Sequence, residues 1–463
     1  MLKVGLNLKR NAMLIESLSG VRAHDADLTE EFVKSYAYAF AEFSAGEKIL
    51  VGRDTRQSGS RIKSLLIEAL KDAGKTVVDL GICTTPTVQY AVENQKAAGG
   101  IVVTASHNPL PWNGLKFIGS DGIFLDGEEM LRLKNRRIEI GKNHSRIEEK
   151  NGLARSYESA VDDHIQSVLK IPYIDTNFIQ KAKFKVVVDA VNGAAYRAVP
   201  ELLRWLGCEV IELNCYHDQP FPRSPEPLPE NLVELNKTVL DHKADLGFAI
   251  DPDGDRLAIV SDLGHPISEE YTLVLATKLV LSKFSNLDQK VVTNLSTTMA
   301  VDDIAKKYGA SVVRTPIGEI NVAKKMREID AAIGGEGNGG VLLPEAHLGR
   351  DSLVAAALIL QLLAEEGKPL SELMRRLPHY EMIKLKVPRR NLEIGDVADS
   401  LKKLVTPDDI DLQDGIKFIW KDRWVHLRPS NTEPIIRIYA EAPTKALAES
   451  AAQPFIDYFN KKT

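Results

Sequence analysis

The stretch Lys48-Ile-Leu-Val-Gly-Arg-Asp-Thr-Arg56 is the first copy of a pattern that decides the fold. A short apolar strand runs into a polar loop, and an amphipathic helix, a glycine and a second apolar strand follow. The same pattern begins again at Lys185 and at Lys290. Apolar strands that alternate with helices of this length form βαβ units, so three similar α/β domains with mixed sheets are predicted. The glycines that end the three helices, where a C′ residue with positive φ is expected, are Gly74, Gly207 and Gly309.

The C-terminal segment does not follow this pattern. A strand at Met382–Val387 and a helix around Ile394–Leu404 precede three further strands and a last helix from Lys445. The order β-α-β-β-β-α predicts a small α+β domain. The predicted boundaries give α/β domains at 1–152, 153–255 and 256–372 and the α+β domain at 373–463.

Composition excludes several classes of function. Across 463 residues, Lys and Arg total 59 and Asp and Glu total 64, which gives a net charge of −5. No positive surplus exists to bind a nucleic-acid backbone or an anionic membrane, so a small-molecule partner is expected. Three cysteines without disulfide or zinc-site spacing, and an N-terminus without a secretory apolar region, favour the cytoplasm.

The most apolar stretch, Leu353–Ala364, is interrupted by Gln361 and is shorter than the roughly 20 residues that span a bilayer. We predict a buried helix here, with Ser352 as its N-cap and Gly367 as its stop. No membrane association is therefore expected. The oligomeric state stays open between a monomer and a homodimer.

Three aspartates follow the apolar strand Leu246–Ile250 in the motif Asp251-Pro-Asp-Gly-Asp-Arg256. On an extended segment their carboxylates would lie on one side and repel one another without a cation. Oxygen ligands without histidine favour a hard ion such as Mg²⁺. A calcium EF-hand loop is excluded, because its sixth and twelfth positions would be Arg256 and Asp262 rather than Gly and Glu. The alternative is an acidic turn without a metal, although α/β sites are typical at the carboxyl ends of buried strands.

A second motif, Thr104-Ala-Ser-His-Asn-Pro109, also follows an apolar strand. Ser106 and His107 are candidates for a nucleophile and its neighbouring base. A Ser or Asx turn that ends at Pro109 explains the segment equally well. The Gly-x-Ser-x-Gly motif is missing, which disfavours acyl-transfer hydrolysis.

Two further loops concentrate polar groups. Arg428-Pro-Ser-Asn-Thr-Glu-Pro434 offers a guanidinium, hydroxyls, an amide and backbone N–H groups that suit a phosphate, and the alternative is an ordinary polar hairpin. Gly335-Glu-Gly-Asn-Gly-Gly340 formally matches a dinucleotide fingerprint, but Pro344 argues against the helix that such a site needs. Glu336 and Asn338 are instead candidates to bond sugar hydroxyls.

These four motifs occur in the order and approximate spacing of the α-D-phosphohexomutase family, which the chain resembles over almost its whole length. The resemblance implies three α/β domains and a fourth domain around a central cleft. It also implies reversible phosphoryl transfer between the 1- and 6-positions of a hexose phosphate, through a phosphoserine enzyme and a 1,6-bisphosphate intermediate. One Mg²⁺ per chain, hexose 1,6-bisphosphate as an activator and a small-molecule sugar phosphate as partner are implied with it.

The resemblance implies roles for individual residues as well. Ser106 would carry the phosphoryl group, and Lys116 would act as acid or base with help from His107. The groups that would hold the metal are Asp251, Asp253, Asp255 and a phosphate oxygen on Ser106. The residues that would line this phosphate are Arg22 and Arg256, with Arg53 close by. The residues that would bind the substrate are Glu336, Asn338, Arg428, Ser430, Asn431 and Thr432.

The sugar loop indicates a substrate class. Many family members have Ser and a following His where this chain has Asn338 and Gly340. The glycine-rich form resembles branches assigned to phosphoglucosamine mutase, whereas the run 430–432 is more similar to phosphomannomutase/phosphoglucomutase. A phosphoglucosamine mutase is predicted, with a phosphomannomutase/phosphoglucomutase as the alternative. More remote alternatives are a metal-dependent sugar phosphatase and a sugar-phosphate binder without turnover.

Overall fold

The computed structural model describes residues 15–17, 20–142, 151–389, 394–430 and 435–461. Over these ranges the chain forms four sheets with helices packed on them. None of the helices in the described ranges is both long enough and apolar enough to cross a membrane.

The first sheet is mixed, as predicted. Its elements are β1 (Ile15–Ser17), β2 (Gly20–His24), α1 (Glu30–Phe43), β3 (Lys48–Arg53), α2 (Gly59–Asp72), β4 (Thr76–Ile82), α3 (Thr85–Asn94), β5 (Gly99–Val103), β6 (Trp112–Ile118), α4 (Gly127–Lys142) and β7 (Leu153–Ser156). The strand order is β1-β2-β6-β5-β3-β4-β7. β5 pairs in parallel with β3 and antiparallel with β6, so the chain reverses direction in the loop between β5 and β6.

The second sheet repeats the central part of the first. Its elements are α5 (Ala160–Val168), α6 (Thr176–Ala182), β8 (Lys185–Asp189), α7 (Ala198–Trp205), β9 (Glu209–Leu213), α8 (Val233–His242), β10 (Leu246–Ile250) and β11 (Leu257–Ser261). The strand order is β11-β10-β8-β9, with β10 parallel to β8 and antiparallel to β11.

The third sheet has the same plan. Its elements are α9 (Glu270–Ser282), β12 (Lys290–Asn294), α10 (Ala300–Lys307), β13 (Ser311–Thr315), α11 (Glu319–Ile329), β14 (Ile333–Glu336), β15 (Gly340–Leu342), α12 (Ser352–Glu366) and α13 (Leu370–Met374). The order is β13-β12-β14-β15, with β14 parallel to β12 and antiparallel to β15. The hairpins β5–β6, β10–β11 and β14–β15 therefore occupy equivalent positions.

The C-terminal sheet is antiparallel and has one strand more than predicted. Its elements are β16 (Glu381–Pro388), α14 (Ile394–Lys402), β17 (Asp409–Asp411), β18 (Ile416–Ile419), β19 (Trp424–Pro429), β20 (Ile435–Ala442) and α15 (Lys445–Lys461). The order is β16-β20-β19-β18-β17. β17 was missed because Asp-Ile-Asp lacks the apolar run of a buried strand, and it pairs only at the edge, with β18.

Local predictions at helix ends had mixed outcomes. Gly74, Gly207 and Gly309 have φ of 83°, 76° and 70°, which confirms the positive φ expected after each helix. Gly367 ends α12 with φ of 60°. The prediction of Ser352 as N-cap was wrong: the cap is Asp351, whose carboxylate accepts from the Leu353 N–H, because Ser352 is already the first helical residue.

The predicted boundaries at 152 and 255 fall just before β7 and β11. β7 pairs with β4 and completes the first sheet. β11 pairs with β10 and completes the second sheet. The four domain ranges themselves stay predictions.

The third and fourth sheets meet around a buried acidic group. Glu270 on α9 is 4% exposed and accepts from the Thr298 N–H at 3.0 Å. Lys384 on β16 lies 2.8 Å from Glu269 and 3.7 Å from Glu270. Burial raises the pKa of Glu270 to about 8, although Lys384 opposes this shift. Near neutral pH the folded chain therefore keeps a proton that the unfolded chain releases.

The substitution Glu270→Gln tests this assignment. Because the pKa is higher in the folded state, the wild-type chain loses stability as pH rises from about 4.5 towards 8. The amide does not titrate, so we expect the variant to unfold at a higher temperature than wild type at pH 8.5 and at nearly the same temperature at pH 4.5. Thermal unfolding followed by circular dichroism measures both. A difference in unfolding temperature between variant and wild type that is the same at pH 4.5 and pH 8.5 would contradict the raised pKa of Glu270.

Candidate functional site

Three hairpin loops at equivalent positions of the first three sheets carry the predicted site residues. The serine loop, residues 104–111, joins β5 to β6. The metal turn, residues 251–256, joins β10 to β11, and the sugar loop, residues 337–339, joins β14 to β15. Direct hydrogen bonds or ion pairs link these loops or the strands beside them, as described below.

Ser106 occupies a constrained place in the serine loop. It is 1% exposed and has φ of 50°, a left-handed conformation that is uncommon for a residue with a side chain. Its N–H donates to Thr104 Oγ1 at 2.9 Å. Its Oγ lies 3.3 Å from Asp251 Oδ2 and 3.4 Å from His107 Nδ1. The hydroxyl is thus held between the metal turn and an imidazole.

Arg56 fixes the path of the serine loop. Its guanidinium is 2% exposed and donates to the carbonyl oxygens of Ser106, Asn108 and Trp112 at 2.5, 2.6 and 2.8 Å. Asp54 Oδ2 accepts from its Nε at 3.0 Å. Sequence reasoning missed this role, although Arg56 lies in the first polar loop of the repeat.

The metal turn is tighter than the extended segment that was predicted. Gly254 has φ of 72°, and its N–H donates to the Asp251 carbonyl at 3.0 Å. Asp251 Oδ1 accepts from the N–H groups of Asp255 and Arg256 at 3.1 and 3.2 Å. The prediction of an extended segment was wrong because glycine and these side-chain bonds favour a turn over a straight strand.

The turn fits a hard cation. The aspartates are 0% exposed, and one ligand oxygen from each lies within 4.8 Å of the others. Asp253 Oδ1 and Asp255 Oδ1 are buried and have no hydrogen-bond partner. Buried carboxylate oxygens without partners are costly, and an oxygen-binding ion such as Mg²⁺ would satisfy them. The three aspartates are therefore the residues that could hold the metal.

Burial and mutual repulsion divide the aspartates by charge. Burial, and then Asp255 and Asp253, raise the pKa of Asp251 well above its usual range. Burial acts in the same direction on Asp255, but Arg350 and Lys116 outweigh it and lower the pKa of Asp255. Asp253 and Asp255, whose pKa values are lowered, are therefore ionised, whereas Asp251 resists ionisation. The buried turn carries negative charge that nearby cations must balance.

Lys116 supplies part of that charge. It lies on β6, is 2% exposed, and donates from Nζ to Asp253 at 2.6 Å and to Asp255 at 3.1 Å. Burial alone would lower the pKa of Lys116, but the two aspartates outweigh burial and raise it. Lys116 is therefore a buried, ion-paired lysine.

Three basic side chains, Arg22, His107 and Arg256, lie around the serine loop and the metal turn. Arg256 Nε lies 3.7 Å from Asp255 and 4.0 Å from Asp251, and Arg22 Nη1 donates to Asn108 Oδ1 at 2.8 Å. Burial, followed by Arg256 and Arg22, holds the pKa of His107 well below its usual range. His107 is therefore neutral near pH 7 and can accept a proton.

Arg350 connects the metal turn to the sugar loop and was not predicted. It is 7% exposed and donates to Asp255 Oδ2 and to Glu336 Oε2, both at 2.6 Å. Its Nε lies 3.0 Å from Glu319 Oε2. A single arginine thus pairs with carboxylates from the metal turn, from the first residue of α11 and from the last residue of β14. The only sequence signal for Arg350 is that these acids need a cation once they are buried.

Glu336 is held by several donors. Its Oε1 accepts from Asn294 Nδ2 at 2.8 Å and from the Gly318 N–H at 3.0 Å, and its Oε2 accepts from Arg350. Asn338 Nδ2 also lies 3.4 Å from Oε2. Asn338 is only partly buried, so its amide is the more available of the two predicted sugar ligands.

The predicted phosphate loop is described in part. Arg428 pairs with Asp414 at 2.9 Å, and the Ser430 N–H donates to the Ile435 carbonyl at 2.9 Å. Asp414 also accepts from the Ile317 N–H at 3.1 Å, one residue before Gly318, which binds Glu336. The predicted ligands Asn431 and Thr432 lie outside the described residues.

Family models match the chain in four consecutive segments. They describe domains I, II and III of phosphoglucomutase/phosphomannomutase, each alpha/beta/alpha, at residues 16–143, 162–264 and 268–380. The C-terminal domain of the same family matches residues 382–457.

Similar proteins align with nearly the whole chain. The probable phosphoglucosamine mutase of Methanopyrus kandleri is 35% identical over 448 residues, covering 95% of this chain and 96% of that protein. The phosphoglucomutase/phosphomannomutase of Thermococcus kodakarensis is 37% identical over 441 residues, covering 93% and 94%. A crystal structure of a phosphoglucomutase/phosphomannomutase family protein from Burkholderia thailandensis has a TM-score of 0.82 at 28% identity and covers 96% of each chain.

The variant Arg350→Met tests whether buried charge pairing holds the site together. It leaves Asp255, Glu319 and Glu336 without their shared cation, so we expect the free energy of unfolding to fall by about 3–5 kcal/mol. Chemical denaturation measures the change, provided that the free energy of unfolding depends on denaturant concentration with the same slope in variant and wild type. Arg327→Met is the control, because Arg327 pairs with Asp121 where the two side chains are 50% and 44% exposed, and about 1 kcal/mol or less is expected there. Equal losses in the two variants would contradict the role of Arg350.

Proposed function

The chain belongs to the phosphoglucomutase/phosphomannomutase family of α-D-phosphohexomutases, and from this premise we propose that it interconverts hexose or hexosamine 6-phosphate and 1-phosphate. Ser106 carries the transferred group as a phosphoserine. The observation that supports this most is the Ser106 hydroxyl, held 3.3 Å from Asp251 in a turn with unsatisfied carboxylate oxygens. A hydroxyl beside a cation-binding turn suits phosphoryl transfer.

Proton transfer in this reaction is assigned to two basic residues, His107 and Lys116. When the phosphoryl group passes to a sugar hydroxyl, the bond from phosphorus to Ser106 Oγ breaks and a bond to the sugar oxygen forms. The sugar hydroxyl loses a proton and the serine oxygen gains one. Neutral His107 lies close enough to exchange the serine proton, and Lys116 is the second acid or base.

Charge neutralisation is the other requirement. The three aspartates would hold a Mg²⁺, which would supply positive charge to offset the negative charge of the transferred phosphoryl group. Arg22 and Arg256 add fixed positive charge beside the same serine, where water is largely excluded. The intermediate is a hexose 1,6-bisphosphate, which also serves as the activator because it phosphorylates an unmodified Ser106.

Substrate binding is assigned to two separate regions. Glu336 and Asn338 bind sugar hydroxyls, and Arg428 with residues 430–432 binds the phosphate that does not react. Arg428 then exchanges its bond to Asp414 for a bidentate contact with the phosphate. A cytoplasmic location is supported by the free state of Cys83, Cys208 and Cys215.

Glucosamine phosphate is the preferred substrate in this proposal. Support comes from the position of Asn338, which is partly buried beside Glu336, and from the similarity to the Methanopyrus protein named as a probable phosphoglucosamine mutase. The second candidate is a phosphomannomutase/phosphoglucomutase, favoured by the Thermococcus relative with that name.

The variant Ser106→Ala separates a mutase from a binding protein. We expect it to abolish isomerisation and to remove the phosphorylated species from the intact mass spectrum, because the acceptor oxygen is lost. Ser64→Ala is the control, since Ser64 is exposed on α2 and bonds only the Ser60 carbonyl among the contacts described. Full activity in Ser106→Ala would contradict the phosphoserine mechanism. Stoichiometric release of inorganic phosphate by the wild-type protein would identify it as a phosphatase instead.

Phosphorus NMR with Mg²⁺ and a trace of hexose 1,6-bisphosphate measures the substrate preference. We expect glucosamine phosphate to turn over at least tenfold faster than mannose or glucose phosphate at equal concentration, about 1.4 kcal/mol in transition-state free energy. Comparable rates for all three would make the protein a broad hexose mutase and would contradict the assignment of Asn338.

A further inference from the structure

A buried histidine lies where the first three domains meet and has no role in the proposed phosphoryl transfer. His164 on α5 is 0% exposed. Its Nδ1 is 2.9 Å from Thr87 Oγ1 on α3, and its Nε2 is 2.8 Å from Asp351 Oδ2, the N-cap of α12. The ring stacks on Tyr90 with centroids 5.4 Å apart. One side chain from the second domain thus joins helices of the first and the third.

Hydrogen bonding accounts for both ring nitrogens of His164 without a metal, whereas His347 Nδ1 is buried and has no hydrogen-bond partner among the described residues. If His164 donates from Nε2 to Asp351, its Nδ1 accepts from the Thr87 hydroxyl, which lies 2.7 Å from Thr84 Oγ1. His347 Nε2 lies 3.1 Å from the same oxygen of Asp351 and can donate to it. The ligand atoms of the two histidines and Asp351 lie within 4.8 Å of one another, so a transition-metal site is the competing interpretation. A neutral His164 satisfies both of its ring nitrogens and needs no ion.

The two helices that His164 joins also hold the metal turn. At the start of α3, Thr85 donates from its hydroxyl to Asp253 Oδ2 at 2.6 Å and from its N–H to the Asp253 carbonyl at 2.8 Å. At the start of α12, Ser352 Oγ donates to the Gly254 carbonyl at 2.7 Å. A Cβ on Gly254 would lie 2.5 Å from Thr84 Cγ2, so the turn is seated directly against α3.

We propose that His164 is a positioning residue. By bonding to the N-termini of both α3 and α12, it holds these two helix ends in place, and they contact the metal turn from two sides. Thr85 orients Asp253 on one side. On the other side Arg350, next to Asp351, orients Asp255. Loss of the histidine lets the two helix ends separate and leaves the aspartates less well placed to bind a cation. This inference rests on the proposed metal site.

The test is Mn²⁺ binding to the full-length chain, followed by electron paramagnetic resonance without substrate. We expect His164→Ala to bind Mn²⁺ about tenfold more weakly than wild type, since residues behind metal ligands commonly contribute this much. Thr87→Val removes only the hydroxyl that the histidine accepts from, so a smaller loss in the same direction is expected. Thr87→Val decides the question if His164→Ala does not fold.

The matched control is Ile165→Ala, which removes buried contacts from the same helix and leaves the histidine in place. It lowers thermal stability but leaves Mn²⁺ affinity unchanged if the proposal holds. Equal affinity in wild type, Thr87→Val and His164→Ala would overturn the positioning role alone. Absence of Mn²⁺ binding by wild type would overturn the metal site and the positioning role together. A Co²⁺ absorption spectrum typical of nitrogen ligation, present in wild type and lost in His164→Ala, would show a metal site at His164 and also overturn the proposal.

Discussion

The aspartates of the metal turn are buried at the meeting point of the first three domains, where water cannot screen their repulsion. Each of the three matched α/β domains, at residues 16–143, 162–264 and 268–380, contributes a basic residue: Lys116, Arg256 and Arg350. Because each cation belongs to a different domain, the site is neutralised only when the domains are assembled. Charge balance therefore acts on tertiary structure as well as on chemistry. Asp253 Oδ1 and Asp255 Oδ1 still have no hydrogen-bond partner when these pairs have formed, and this is the basis for assigning a metal ion to the turn.

The repeat explains why the functional loops converge. In each of the first three sheets a strand pairs in parallel with the first strand of its repeat and antiparallel with the strand that follows it. The reversal between those two strands is the serine loop in the first sheet, the metal turn in the second and the sugar loop in the third. Packing the three domains together then brings the three reversals to one place, and Arg350 connects the second and third directly. The fourth domain has an antiparallel sheet and contacts the third through Lys384 with Glu269 and Glu270, and through Asp414 with the Ile317 N–H.

Much of this arrangement was predictable from the sequence, because the repeated strand–helix pattern predicts the sheets and the polar motifs directly follow apolar strands. Strand ends followed by Ser106 or by the three aspartates are visible as motifs, and the structure brings Ser106 within hydrogen-bonding distance of Asp251. Arg350 and Arg56 were not predictable, since each acts through partners distant in sequence. The metal turn was misjudged because Asp251 bonds the backbone of the residues that follow it, which no periodicity reveals. Edge strand β17 was missed because pairing, rather than burial, defines it.

The three equivalent hairpins have a consequence for how the site can be altered. One structural plan carries three different sets of residues: the first hairpin holds the serine, the second the aspartates, and the third Glu336 and Asn338. Replacements in the third hairpin therefore leave Ser106 and the aspartates on elements of their own. The neighbours of Asn338 tolerate little, because a Cβ on Gly337 would lie 1.8 Å from Glu270 Oε2 and one on Gly339 would lie 2.5 Å from the Leu257 carbonyl oxygen. Of the three residues in this loop, the two glycines cannot take a side chain without displacing a neighbour, so Asn338 is the position at which the loop can be varied.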